Sequence, residues 1–150
     1  MSEFNWTAYG AGITLIAGTS MNALGNGSYA LGAEIDNGTD KDEYLDIVLK
    51  LNSAVAAGAG VPAVDVYLLP CPDGTNYPTP PGGSAGATPT IYLAGSIPAI
   101  ASANFTIGVL RGVILPPGKF KVEARNNLGV AFPASDLNEL KGYKYSEQVV

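Results

Sequence analysis

The chain has 150 residues, 47% of them hydrophobic and only 14% charged, with 19 glycines, 11 prolines and a formal net charge of −5. That length carries one core without help from disulfides or metal, and the negative balance argues against a nucleic-acid binder, which needs a positive field over phosphates. With no histidine and a single cysteine, the commonest general base, the Cys/His zinc sites and any intrachain disulfide are all excluded.

Three aromatic residues, Phe4, Trp6 and Tyr9, open the chain, and Tyr143 and Tyr145 stand near its other end. Such residues either pack on their own domain or dock onto a neighbour. The expectation carried forward is one domain over residues 1–150 with an N-terminal arm at 1–10, all five aromatics being candidate partner contacts. The first basic residue is Lys41, so the basic opening of a secretory signal is missing. The uncharged stretch from Phe4 to Ala33 is broken by Asn5, Thr14, Thr19, Asn22 and several glycines, and has no membrane-spanning apolar run of about 20 residues. A soluble protein made in the cytoplasm, touching neither membrane nor nucleic acid, is expected.

Asn26-Gly27 and Asn37-Gly38 are turn dipeptides that bracket Ser28–Asp36 as a strand. The loop from Asp36 to Glu43 gathers oxygen ligands of the kind a calcium ion takes, but its spacing is not an EF-hand's and Lys41 sits inside it. A solvated hairpin turn is the preferred reading, and no cofactor is expected. From Glu43 to Leu51, Leu45, Ile47, Leu49 and Leu51 alternate with Tyr44, Asp46, Val48 and Lys50, the period of a half-buried strand. Ser53–Gly60 reads as a loop, and Ala63–Leu69 as a second strand with Val64, Val66 and Leu68 on one face.

Pro70–Thr90 holds six prolines and reads as a long surface loop, the kind that tends to carry function. Cys71, between two prolines, is expected to be a small buried or half-buried thiol. Strands resume at Thr90–Ala94, Asn104–Leu110 and Gly112–Leu115. After the turn at Pro116-Pro117-Gly118, Lys119–Arg125 alternates again, and Val130–Phe132 reads as a short strand stopped by Pro133. Turns recurring every 8–12 residues or so predict an all-β fold, an antiparallel β-sandwich or jelly roll with long Gly/Pro-rich loops. Leu45, Ile47, Leu49, Val64, Val66, Leu68, Phe120 and Val122 are its expected core.

No nucleotide-binding glycine motif, nucleophile elbow or ligand cluster with metal spacing is present, so a non-enzymatic role is expected. Charge is missing from Phe4 to Ala33 and from Gly74 to Leu110. Surfaces that meet only water carry mixed charge, whereas interface centres are depleted in it. Part of this uncharged surface is expected to meet another protein.

The phrases Asp65-Val66-Tyr67-Leu68-Leu69-Pro70, Asp73-Gly74-Thr75-Asn76-Tyr77, Leu115-Pro116-Pro117-Gly118-Lys119-Phe120-Lys121, Arg125-Asn126-Asn127 and Tyr145-Ser146-Glu147-Gln148 come in that order. From about Tyr44 onward the chain resembles head decoration, or cement, proteins of tailed phages, which have a jelly-roll fold. The resemblance implies a structural virion protein on the capsid exterior. It would be a homo-oligomer that binds the major capsid protein and bridges neighbouring capsid subunits. A different expectation is a carbohydrate- or receptor-binding module of a tail or fibre protein, with Tyr77 and Tyr92 beside the long loop as its aromatic platforms.

Overall fold

Alternation of apolar and polar side chains builds the central strands. In Tyr44–Leu51, Leu45, Ile47, Leu49 and Leu51 are all fully buried; in Lys119–Asn127 the same holds for Phe120, Val122, Ala124 and Asn126. The computed structural model describes residues 4–55, 63–78, 90–101 and 104–149. Its strands are β1 (Phe4–Trp6), β2 (Ile13–Ile16), β3 (Tyr29–Leu31), β4 (Ile35–Asp36), β5 (Tyr44–Leu51), β6 (Ala63–Cys71), β7 (Leu93–Pro98), β8 (Ile100–Ala101), β9 (Thr106–Ile114), β10 (Lys119–Asn127), β11 (Glu139–Tyr145) and β12 (Glu147–Val149). One helical turn, Gly18–Met21, drops Met21 into the core.

Ten of the strands form two antiparallel sheets, a β-sandwich, and β1 with β12 makes a separate two-stranded one. The first runs β2-β11-β5-β9-β8; the second runs β3-β10-β6-β7, with β4 also paired to β10. A single apolar core lies between them, from Leu15, Leu45, Ile47 and Leu140 of the first sheet to Val64, Val66, Ile97, Phe120 and Val122 of the second. At Ala99 the chain passes from β7 in the second sheet to β8 in the first. Most pairings are nested, early strands with late ones: Phe4 opposite Val149, Ile16 opposite Leu140, Ala30 opposite Ala124, Leu49 opposite Gly108 and Val66 opposite Gly95. Two further pairings, β11 with β5 and β10 with β6, stitch this long ribbon to itself.

Seven of the eight expected core residues are buried, and the eighth, Leu68, is half-buried. Other expectations need correction. Asn104–Leu110 and Gly112–Leu115 are not two strands: Gly112 lies in a bulge inside β9, where Leu45 faces Val113 but Ile47 faces Leu110. Its φ of +66° is one that glycine adopts without strain. Thr90–Tyr92 is a 3₁₀ turn, and the strand begins only at Leu93. Ser28–Asp36 is split into β3 and β4, and between them Gly32 sits so close to the Leu15 carbonyl that a side chain has no room. Val130–Phe132 forms no ladder; Phe132 is buried as a loop residue whose N–H donates to the Leu24 carbonyl. The expected loops at Ser53–Gly60 and Pro70–Thr90 lie outside the described residues over 56–60 and 79–89.

The expected N-terminal arm also needs correction over residues 4–10. β1 pairs with β12, and the N–H groups of Thr7 and Gly10 donate to the carbonyls of Ser146 and Lys144. This segment lies along the last strands of its own domain, so its backbone hydrogen bonds are already made there.

Candidate partner-binding surfaces

On the outer face of the first sheet, Tyr44 and Asp46 of β5 lie across from Tyr145 and Tyr143 of β11. The returning N-terminal segment lays Trp6 and Tyr9 over them. Tyr44 and Tyr145 stack at 5.5 Å between centroids; Trp6 meets both edge-on at 5.6 Å, and Tyr9 meets Tyr145 and Tyr143 edge-on at 5.4 and 6.2 Å. These are the offset and T-shaped geometries that aromatic quadrupoles favour. Trp6 and Tyr9 nevertheless remain 60% and 61% exposed.

Asp46 anchors this cluster. Its carboxylate is buried and accepts hydrogen bonds from the Tyr9 hydroxyl (2.7 Å), the Gly112 N–H (2.9 Å) and the Tyr145 hydroxyl (3.2 Å). The β9 bulge turns the Gly112 N–H toward the carboxylate. The Tyr9 proton is held more tightly than in free tyrosine, first by its bond to Asp46; for Tyr145 burial is the first cause and the Asp46 charge the second. Four of the seven residues expected to contact a partner, Trp6, Tyr9, Tyr143 and Tyr145, thus share one surface. The Phe4 backbone pairs with Val149 in β1, and its side chain lies outside the described residues. Tyr44 and Asp46 were missing from that expectation, although both stand on the outward register of β5.

Tyr77 and Tyr92 form a second, separate group. Both line a pocket of about 400 Å3 with Pro70, Pro72, Asp73, Asn76 and Pro78. The Tyr77 hydroxyl donates to Glu34 (2.6 Å), and the Lys121 ammonium lies 4.5 Å from the centre of its ring. Burial first, then Glu34, raises the Tyr77 pKa, so the hydroxyl keeps its proton. Asp73 accepts the N–H groups of Asn76 (2.8 Å) and Thr75 (2.9 Å), which hold its carboxyl well below the usual range. Cys71 is buried beside it, and burial pushes its thiol up, the opposite of an activated nucleophile.

The Asp36–Glu43 loop spends its oxygens internally. Asp36 accepts the Gly38 N–H, and buried Asn37 bonds both the N–H and the carbonyl of Asp42 and reaches Pro116. Asp40 and Asp42 face the Lys144 ammonium at 3.0 and 3.8 Å, in place of a cation site. Among the described residues no group of acidic or sulfur side chains has the arrangement to hold a metal ion, and no helix is long and apolar enough to cross a membrane.

The charge-free segment buries Ile97 in the core but carries several large apolar side chains outside. Ile91 is 81% exposed, and Leu93, Ile100, Ile107 and Val109 are exposed as well. Ile91–Ala94, with Leu68 and Pro70, faces Gly112–Pro116 across an uncharged groove of about 600 Å3 between the sheet edges. No family model matches the chain, and neither a curated protein nor a solved structure matches it.

Proposed function

We propose that this protein is a structural component of a phage virion that decorates the capsid exterior and cements it by bridging neighbouring capsid subunits. The observation that carries the reading is the exposed apolar surface of the charge-free segment, Ile91, Leu93, Ile100, Ile107 and Val109. Ile100 and Ile107 are direct cross-strand partners with Val109 on the same face, and exposed apolar side chains displayed in this way mark a surface that another protein covers. The aromatic cluster of Trp6, Tyr9, Tyr143 and Tyr145 adds residue types enriched at binding hot spots.

The sandwich is, in this reading, a jelly roll. With β2, β3, β5, β6, β7, β9, β10 and β11 taken as eight successive strands, the sheets order as first-eighth-third-sixth and second-seventh-fourth-fifth. A hairpin ribbon rolled into two Greek keys gives this order, which capsid and lectin domains share. The fold alone therefore does not choose between them.

The partner is the major capsid protein, and a homo-oligomer multiplies weak single contacts into firm attachment. The test adds purified protein to particles of the parent phage that lack it and measures occupancy. Trp6→Ala is expected to fold normally yet occupy fewer sites. Failure of the wild-type protein to bind the particles overturns the reading. One observation favours the carbohydrate-binding alternative: Tyr77 and Tyr92 face one pocket beside Asp73 and Asn76. A glycan array that returns specific binding lost in Tyr92→Ala would install that reading instead.

A further inference from the structure

The outer face of the first sheet has two unlike ends. At one end Tyr44 of β5 pairs with Ile114 of β9, which is 77% exposed, and Trp6 lies over Tyr44 and Tyr145. Glu43 directly precedes this row, and Glu147 is the ladder partner of Trp6, so their side chains share a face. Both glutamates are exposed, and among the described residues neither has an ion pair. The charge of Glu147, then burial, then Glu43 raise the Tyr44 pKa. Lys41, in the loop before β5, is outnumbered at this end, because Asp40 and Asp42 already share Lys144.

At the other end Lys50 of β5 pairs with Ile107 of β9, and both are exposed. Lys50 has no ion pair among the described residues, and Glu139 across from it is engaged by Lys141 at 3.1 Å. Between the two ends Val48 faces Val109, an uncharged middle, with Arg111 in the bulge opposite Asp46. Tyr44 and Lys50 are the first and seventh residues of β5, about 20 Å apart along the strand. The acidic aromatic end therefore cannot neutralise Lys50 within one copy, but it can between two.

We propose that two copies of this chain pack these faces together about a two-fold axis that crosses β5 at right angles between Asp46 and Val48. The two β5 strands then run antiparallel across the interface. Lys50 of each copy comes over Glu43 and Glu147 of the other, Ile107 over Ile114, and Val48 with Val109 lies by the axis. The contact is isologous, so each end meets its complement twice. The raised side chain of Trp6 also comes over the row of the other copy that carries only Lys50 and Ile107. This pairing follows from the one face and does not rest on the decoration reading. Leu93 of β7 and Ile91 just before it belong to the second sheet and stay uncovered for a capsid contact.

Sedimentation equilibrium of the full chain over a range of concentrations is expected to show a monomer–dimer equilibrium that weakens as salt rises. Lys50→Glu brings like charges together twice and should weaken the dimer at least about tenfold, and Glu43→Lys with Glu147→Lys should do the same. Mixed in equal amounts, the two variants should regain the wild-type affinity, because each charge again meets its opposite. Thermal melts check that both fold, and Glu147→Lys alone replaces the double variant should that one melt lower. A wild type that stays monomeric, or that forms only trimers or larger rings, overturns the proposal. So does a dimer that charge reversal leaves intact, or a mixture that stays monomeric. If a monomeric wild type occupies parent particles, this inference fails and the decoration reading stands. If the charge-swapped pair dimerises as expected but the wild type never occupies particles, the decoration reading fails and this one stands.

Discussion

Replacing Glu123 by glutamine should change how stability depends on pH. Glu123 points outward from β10 between Leu31 of β3 and Tyr67 of β6, yet it is only 1% exposed, and its Oε2 has no hydrogen-bond partner. The neighbouring charges on its own strand, Lys121 and Arg125, lie against Tyr77 and Tyr29, and Asp65 on β6 accepts from Ser96. Burial therefore pushes its carboxyl from 4.5 up to about 7. The sign follows from where the protons are. Below about pH 4.5 the group is neutral folded or unfolded and favours neither state. Between about 4.5 and 7 the unfolded chain has released its proton while the folded chain keeps it, so stability falls as pH rises. Above about 8 the loss is complete and constant, at most about 3 kcal/mol for a displacement of this size. Urea unfolding at intervals from pH 4 to 9 measures it. The wild-type curve minus the Glu123→Gln curve should decline by about 1–3 kcal/mol across that window and then level off. A difference that stays flat refutes the reasoning, because the other titrating groups cancel in the subtraction.

Three further outcomes are expected. Removing the Asp46 carboxylate as Asp46→Ala, which leaves the Tyr9, Tyr145 and Gly112 donors without their acceptor, should cost about 2–4 kcal/mol, and Tyr9→Phe about 1 kcal/mol. A double-mutant cycle of the two should be clearly less than additive, and additivity would mean the bond contributes nothing. Ile47→Ala, at a fully buried position, should cost about 2–5 kcal/mol in the same unfolding assay. Because Asp40 and Asp42 face Lys144, a chelator should leave the melting temperature unchanged; a drop of several degrees would restore a cation to that loop.

β5, β6 and β10 were legible in the sequence because the face each turns to the core carries an apolar residue at every second position. The reading failed where tertiary contacts override that pattern. Gly112 has the look of a strand breaker, but its freedom at positive φ keeps β9 continuous through the bulge. Val130–Phe132 alternates because Phe132 fills a core site from a loop, with no ladder behind it. The outward faces were harder still. Tyr67, Leu69 and Glu123 stand on the outer face of the second sheet and are buried all the same, which period-two reasoning assigns to solvent. For the candidate surface, aromatic residues at both chain ends were visible, but their meeting depends on pairing Trp6 with Glu147, beyond the reach of any local window. Asp46 read as an ordinary solvent-face residue; only the bulge opposite it reveals its role.

The nested pairing of early strands with late ones has a mechanical consequence. Phe4 and Val149 are direct partners in a three-residue ladder, so opposing pulls on the two ends load its hydrogen bonds one after another, as in opening a zip. Such peeling needs far less force than shearing a whole strand along its neighbour at once. The resistance then passes inward to β2 and β11, and the Tyr9–Asp46 bond lies on that path. Load applied at this corner is met very differently from load at β9, where force along the strand meets all of its bonds to β5 together. Where the protein is held thus decides whether it yields gradually or stays rigid until it fails.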